Sequence, residues 1–550
     1  MKKLWFIPLV LLVVASLILG SCGDSEETTT TTQATTTTQA TTTTQATTTT
    51  QATTTTQPTT SGPKYGGTFK IITTEGFFNI GDPRQGGPPY STSIRTIFLE
   101  TLLRFSDAED TYSEIVPWLC KEWNYNDALT TLTLKFEEGV KYHDGTDFNA
   151  QSVKDCWDLY IEGGLTQMST VESMEVIDTY TLQLNLSEFD VGLVGLLAQS
   201  PIGQMVSPTA MKTYSDDEMI NTPVGTGPFK LVEFDPGVKI IAEKNEDYWV
   251  EGLPYVDGIE CVYIAESTVA KIAFERGEGD VIPRMDVKEA RELMDAGYEV
   301  FISPAGFEFM LGGDIANPDS YFADINVRKA IAYAVDVEKI VDQLGYGLWQ
   351  VNRRWWNPAH WANNPNPSPY YYDVDKAKEL MAASNFADGF DTTIYMRDST
   401  YEDAILVIQQ NLKAIGINAD IVVMTDAEQA AQAVDGWHNS IRHLLGPTSA
   451  EREPSVTALT YYTEGNIYNA SCMLPDDIID LLEEARGEVD MDKRKELCQE
   501  AERLAMDEYC LWWNFVMVPF CVPRQDYLHG DNTRFFVGHY WTPEKVWLDK

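Results

Sequence analysis

From Leu132 to Phe136 the chain alternates, with Leu132, Leu134 and Phe136 on one side and Thr133 and Lys135 on the other. That is the period of a half-buried strand. Glu138-Gly139 breaks the run, Val140 and Tyr142 resume it, and Asp144-Gly145 marks a turn. Ala150, Val153 and Trp157 then recur at spacings of three and four, so the stretch predicts a hairpin followed by a helix packed by one face. Further helices are predicted over Ser93 to Arg104, Asp324 to Leu344 (with Asp324 and Asn326 as capping candidates), Tyr372 to Met381, Tyr401 to Ile415, Asp476 to Arg486 and Asp492 to Leu504. Strands are predicted over Phe229 to Phe234, Val238 to Ala242, Ile417 to Met424 and Cys510 to Val522, the first two joined by the turn Asp235-Pro236-Gly237. Ser267 to Val281 reads as a helix, a glycine stop and a short strand. Helices and strands interleave along the chain, which makes the class α/β.

The N-terminal pattern is different. Lys2 and Lys3 precede an apolar run from Leu4 to Leu19, broken by Pro8 and short of the roughly 20 residues of a spanning helix. The run leads through Leu19-Gly20-Ser21 into Cys22. This is similar to a bacterial lipobox, in which the leader is cut before the cysteine and the thiol carries a diacylglycerol. From Thr28 to about Pro63 the chain repeats TTTTQA with almost no large apolar side chain. It cannot bury enough surface to offset ordering entropy, and reads as a disordered tether. A tether of that length lets a lipid-anchored protein stand off a thick wall.

Composition narrows the classes. The chain has 550 residues and a formal charge of -43, an excess that argues against nucleic acid or anionic lipid as an electrostatic partner. Seven cysteines remain beside Cys22, an odd number that cannot all pair within one chain. Most read as free and buried, and the absence of a CxxC pair argues against structural zinc. No HExxH, GxSxG or Walker motif is present, so no enzyme and no cofactor is expected. His143 reads as a turn residue, and the VGTGPF string lacks the following helix that a phosphate cradle needs.

Several blocks carry a family likeness. GVKYHDGTDFNAQSVKDCW, IVPWLCKEW, NTPVGTGPFKLVEFDPGVKIIAEKNEDYW, VRKAIAYAVDVEKIV and the closing PEKVWLD together resemble the bacterial extracellular solute-binding proteins of the peptide/nickel class, family 5, the receptors of ABC importers. The resemblance runs in order from about Tyr65 to the last residues. It implies a two-lobed periplasmic-binding-protein-like fold with a ligand cleft between lobes. Residues 1–21 would be the leader, 22–63 the tether, 64–304 lobe I with an extra subdomain at about 107–186, 305–508 lobe II, and 509–550 the return to lobe I. It further implies a monomeric receptor working with ABC permease subunits at the extracytoplasmic face of the cell membrane.

For the solute, peptide-binding members carry a lobe II aspartate that pairs with the peptide α-amino group. Aligned on Glu453-Pro454, that position here is Ala450, with Glu451 beside it. Positions matching family cleft segments are Pro88 to Tyr90, Phe307, Phe309, Trp513 and Phe515, and the loop VNRRWWNPAHW adds Arg354, Trp355 and Trp356. Aromatic faces suit sugar rings or apolar side chains, while arginine suits a carboxylate. An oligopeptide or amino-acid-derived anion is expected ahead of an oligosaccharide. Nickel at His438 and His443 is the third reading, and an extracellular hydrolase is the alternative class.

Overall fold

A computed structural model describes residues 62–85, 89–106, 114–199, 201–397, 400–445, 453–463, 468, 470–532 and 541–550. The leader, the tether, Cys22, Pro88 and Glu451 lie outside them. Among the described residues the longer strands form sheets of four, four and six. In the first sheet, Thr68–Thr73 pairs in parallel with Gly258–Tyr263, followed by antiparallel Lys239–Lys244 and Phe229–Asp235. The second is wholly antiparallel, in the order Cys120–Tyr125, Thr131–Phe136, Thr181–Leu186, Val171–Asp178. One continuous core serves both, from Phe69 through Trp157 to Leu548.

The Leu132 strand forms as its alternation predicts, with Leu132, Leu134 and Phe136 buried. It pairs with the strands on either side, however, and the expected hairpin shrinks to a single bridge, Lys141 with Asp147. The helix Ala150–Glu162 opens on a capping box between Asn149 and Ser152. Its buried face is fixed by Trp157, whose Nε1 donates to the Ile202 carbonyl at 2.9 Å. His143 is indeed a turn residue. Its Nε2 lies 2.9 Å from the Gly227 carbonyl, and burial drops its pKa to about 4.

Two expected helices are corrected. The one over Ser93 to Arg104 covers only Pro89–Arg95, and Leu103–Phe105 is a strand. The intervening residues are drawn into a turn because the Phe98 carbonyl accepts the Gly227 N–H at 2.9 Å and the Glu100 carboxylate is buried among donors from four other residues. The helix over Asp324 to Leu344 is two helices, Ile325–Ala334 and Val337–Leu344. Val335 is extended, and the Asp336 carboxylate restarts the spiral by accepting from the Lys339 N–H at 3.1 Å.

The six-stranded sheet runs Gln350–Val351, Trp512–Arg524, Glu299–Gly313, Ile441–Leu445, Phe390–Met396, Ile417–Val423. Alternate residues of Glu299–Gly313 feed two cores. Phe309 and Leu311 join one with the helices at 325–344 and 402–413, and Met310 joins another with the helices at 454–503. Glu299–Gly313 and Trp512–Arg524 are long enough to leave this lobe and enter the first, where Val522 belongs to the core of Phe69. Their pairing breaks between Ile302 and Gly306, so the two strands that join the lobes share an irregularity at the crossing. No helix of the described residues is long and apolar enough to cross a membrane.

Candidate functional site

The lobes face each other across a cavity of about 700 Å³. The first lobe supplies Gln167 and the segment around helix Gly192–Leu197, and the second supplies the face of helix Pro454–Tyr462 with Trp361, Arg486 and Arg494. At its edge the lobes touch. Arg486 donates to Asp190 Oδ2 at 2.8 Å, and the Arg486 carbonyl accepts from the Val191 N–H at 3.1 Å. Gly192 allows this approach, since a Cβ there would stand 2.7 Å from Val456 Cγ2. The wall mixes carboxylates, guanidiniums and apolar faces such as Leu196 and Val456, a lining that accepts a zwitterion or anion with an apolar portion.

Glu453 is the electrostatically distinctive group. It caps the cavity end of helix Pro454–Tyr462, with Arg494 Nε at 3.6 Å and Ser455 Oγ at 3.2 Å. Burial pushes its carboxyl up to about 7, with Arg494 and Ser455 opposing. A folded-state value above the unfolded one means the native state holds the extra proton between the two. Stability therefore falls as pH rises from about 4.3, the unfolded value, towards 7. Glu502, also pushed by burial to about 7, acts in the same direction. Glu453→Gln should remove about 3 kcal/mol of that pH dependence, measured by urea unfolding at pH 5 and pH 7.5.

The sequence-selected aromatics are placed mainly inside the second lobe. Phe309, Trp355, Trp356, Trp513 and Phe515 are each 3% exposed or less. Trp355 stacks on Trp356 at 4.6 Å between centroids and meets Trp512 edge-on at 4.8 Å. Arg354 pairs with Asp507 at 3.0 Å and donates to the Asn366 carbonyl at 2.6 Å. Phe307 is half-buried at the crossing, edge-on to Phe520 at 5.0 Å, with the Arg284 guanidinium 4.2 Å from its ring centre. Tyr90 lies in helix Pro89–Arg95. His443 packs between the Phe309 and Tyr401 rings, and among the described residues no group of three or more His, Cys, Asp or Glu is disposed to hold a metal ion.

Behind the tryptophan loop lies a pair of buried carboxyls. Glu502 accepts from the Trp355, Trp356 and Asn364 N–H groups at 2.7, 3.1 and 2.8 Å. Glu308, on the crossing strand, has its pKa raised well above the ordinary carboxyl value by burial and then by Glu502. Together they fix the loop that carries Arg354, Trp355 and Trp356.

Residues 114–466 match the model of the bacterial extracellular solute-binding proteins, family 5, middle region. The chain belongs to this family. Among family 5 relatives, the glutathione-binding protein GsiB of Shigella flexneri is 26% identical over 374 residues, 66% of this chain and 71% of that one. In three dimensions the family 5 chain is similar to the DppA binding protein of Helicobacter pylori in complex with the peptide STSA, with TM-score 0.76, 24% identity and 88% and 99% of the two chains covered. It is also similar to NikA of Brucella suis in complex with Fe(III)-EDTA, at TM-score 0.75, 19% identity, 86% and 99% coverage. AppA of Bacillus subtilis in complex with a nonapeptide follows at 0.73, 19%, 89% and 100%. The two-lobed binding-protein fold and the role of solute binding for an ABC importer are thereby established. Sequence reading missed four residues of the cavity wall. Asp190 and Arg494 carry no motif, Arg486 reads only as a basic helix end, and Glu453 served only to align a loop.

Proposed function

We propose that this family 5 protein captures a small peptide or a related amino-acid-derived anion between its lobes and delivers it, unchanged, to the permease. The observation that carries this reading is the interlobe cavity, walled by both lobes and lined with both signs of charge among apolar side chains. A free peptide offers an ammonium, a carboxylate and side chains to such a wall, whereas a neutral oligosaccharide brings no charge to meet the carboxylates and guanidiniums there. Relatives named for glutathione and for peptides support the same class. In this reading Phe307 contacts solute at the crossing. Pro88, Tyr90 and Glu451 flank the cleft, Arg354, Trp355 and Trp356 brace its second-lobe wall from behind, and Phe309, Trp513 and Phe515 support the sheet from its opposite face. Lobe I comprises about 64–304 and 509–550, lobe II 305–508, and a lipid on Cys22 holds the receptor to the outer face of the membrane. The protein performs no chemistry on its solute.

Thermal-shift screening of dipeptides to pentapeptides and glutathione against cello- and xylo-oligomers tests the class. Saturable shifts with peptides, and recovery of the peptide intact, are expected. Shifts with sugars alone would sink the peptide reading, and turnover of the peptide would make the protein a hydrolase.

A further inference from the structure

Strand Ile441–Leu445 sends Ile441 and His443 to the Phe309 side of the sheet and Leu444 to the tryptophan-rich side. Arg442 follows Leu444. It is 5% exposed, and its Nε and Nη1 have no hydrogen-bond partner among the described residues. Its guanidinium carbon lies 5.6 Å from the Trp437 ring centre and 5.9 Å from that of Tyr468. Rings attract the cation but offer no lone pair to its N–H groups. The Nε1 of that Trp437 ring is buried and also lacks an acceptor among the described residues.

Other buried arginines of this fold are treated differently. Arg328 donates to the carbonyls of Phe322, Ala323, Tyr509 and Cys510, and Arg354 has Asp507 and the Asn366 carbonyl. Burial lowers the pKa of Arg442, Tyr468 opposes this, and Arg397, of like sign, adds to the lowering; among the described residues no salt bridge reaches Arg442. A buried cation with idle donors and no counter-charge is costly, and folds retain one where something else supplies the anion. The loop beside it is held in an uncommon shape. His438 and Asn439 have φ of 38° and 58°, a conformation that costs energy in non-glycine residues. Asn439 is clamped by its N–H to Asp314 Oδ2 at 2.9 Å, by the Tyr321 N–H on its Oδ1 at 2.9 Å and by Thr392 Oγ1 on its carbonyl at 2.7 Å. The Trp437 N–H donates to Ser471 Oγ at 2.9 Å. The Trp437 ring is thus fixed against the guanidinium.

We propose that Arg442 and the Trp437 indole N–H form an oxyanion subsite in the second lobe that takes a carboxylate group. The carboxylate comes either from the captured solute, in which case the inference rests on the receptor reading above, or from a free small carboxylate. Arg442 gives the charge and two donors, Trp437 gives a third, and the Trp437 and Tyr468 rings, 6.4 Å apart at 75°, wall the site.

The test is thermal unfolding of the mature full chain with Ser-Thr-Ser-Ala, its C-terminal amide and acetate, in wild type, Arg442→Met, Arg442→Lys and Trp437→Phe. Without any probe, Arg442→Met should melt at or above wild type, because an unpaired buried cation has been removed. For a solute carboxylate, the free peptide should shift wild type at least tenfold more effectively than the amide, an advantage lost in Arg442→Met and reduced several-fold in Trp437→Phe. For a free anion, acetate should shift wild type and Arg442→Lys but not Arg442→Met. If no carboxylate probe shifts wild type, the subsite is overturned. Equal peptide shifts in wild type and Arg442→Met also overturn it while leaving the receptor reading intact. If Arg442→Met does not fold, the comparison of peptide with amide in wild type and Trp437→Phe decides alone.

Discussion

Replacing Glu100 with alanine is expected to cost the first lobe about 3–5 kcal/mol, the range for breaking a buried charged network by removing one partner. Glu100 is 2% exposed. Its Oε1 accepts from Trp118 Nε1 at 2.8 Å and Tyr248 OH at 2.7 Å, and its Oε2 from Thr226 Oγ1 at 2.8 Å and Trp249 Nε1 at 2.9 Å. Arg104 stands 3.5 Å away and also pairs with Glu544 at 2.7 Å. Burial raises the Glu100 carboxyl, with Arg104 and the donors pulling it back. Alanine would leave four donors without an acceptor in a site closed to water. Glutamine fills the space but turns two hydrogens towards donors, so Glu100→Gln should fall between alanine and wild type. Urea unfolding of the three proteins checks the order. A loss under about 1 kcal/mol for alanine would mean the donors find other partners.

Replacing Cys22 with serine is expected to move nearly all of the protein from the membrane fraction to the soluble one. In the lipoprotein reading the leader is cut after Leu19-Gly20-Ser21 and Cys22 carries the lipid, and stable anchoring takes two acyl chains at about 0.8 kcal/mol per buried CH₂. Serine has no thiol to form the thioether, so both chains are lost together. The TTTTQA tether beyond it has no apolar face with which to hold the membrane. Cell fractionation and mass spectrometry of the N-terminus read the outcome. A Cys22→Ser protein that stays in the membrane with residues 1–21 attached would make the apolar run a signal anchor.

Local periodicity told most about the fold and least about the site. The alternation at Leu132 to Phe136 and the capping signal at Asp324 follow rules that act within a few residues, and both hold. The Ser93 to Arg104 helix fails because its apolar spacing says nothing of Gly227, 129 positions from Phe98 along the chain, whose N–H claims the Phe98 carbonyl. The long helix at Asp324 failed to anticipate that Asp336 could begin a second one. Tryptophans 355, 356 and 513 were conspicuous as a ligand wall, yet a ring that stacks on sugar packs equally well in a core, and composition does not separate the two. Asp190 meets Arg486 only because the lobes approach each other, a contact with no local signature in either segment. Arg442 reads in sequence as one more basic residue of a strand. That no counter-charge meets it among the described residues is visible only in three dimensions.

Solution scattering on the mature chain, free and with saturating peptide, tests the central claim most directly. A receptor whose lobes hinge at the Ile302 to Gly306 irregularity should populate more open forms when free, and solute contacts made by both lobes should draw it into the touching arrangement of Asp190 and Arg486. The predicted result is a smaller radius of gyration with peptide, reversed when the peptide is removed. An unchanged radius with every peptide that raises the melting temperature would contradict capture by closure.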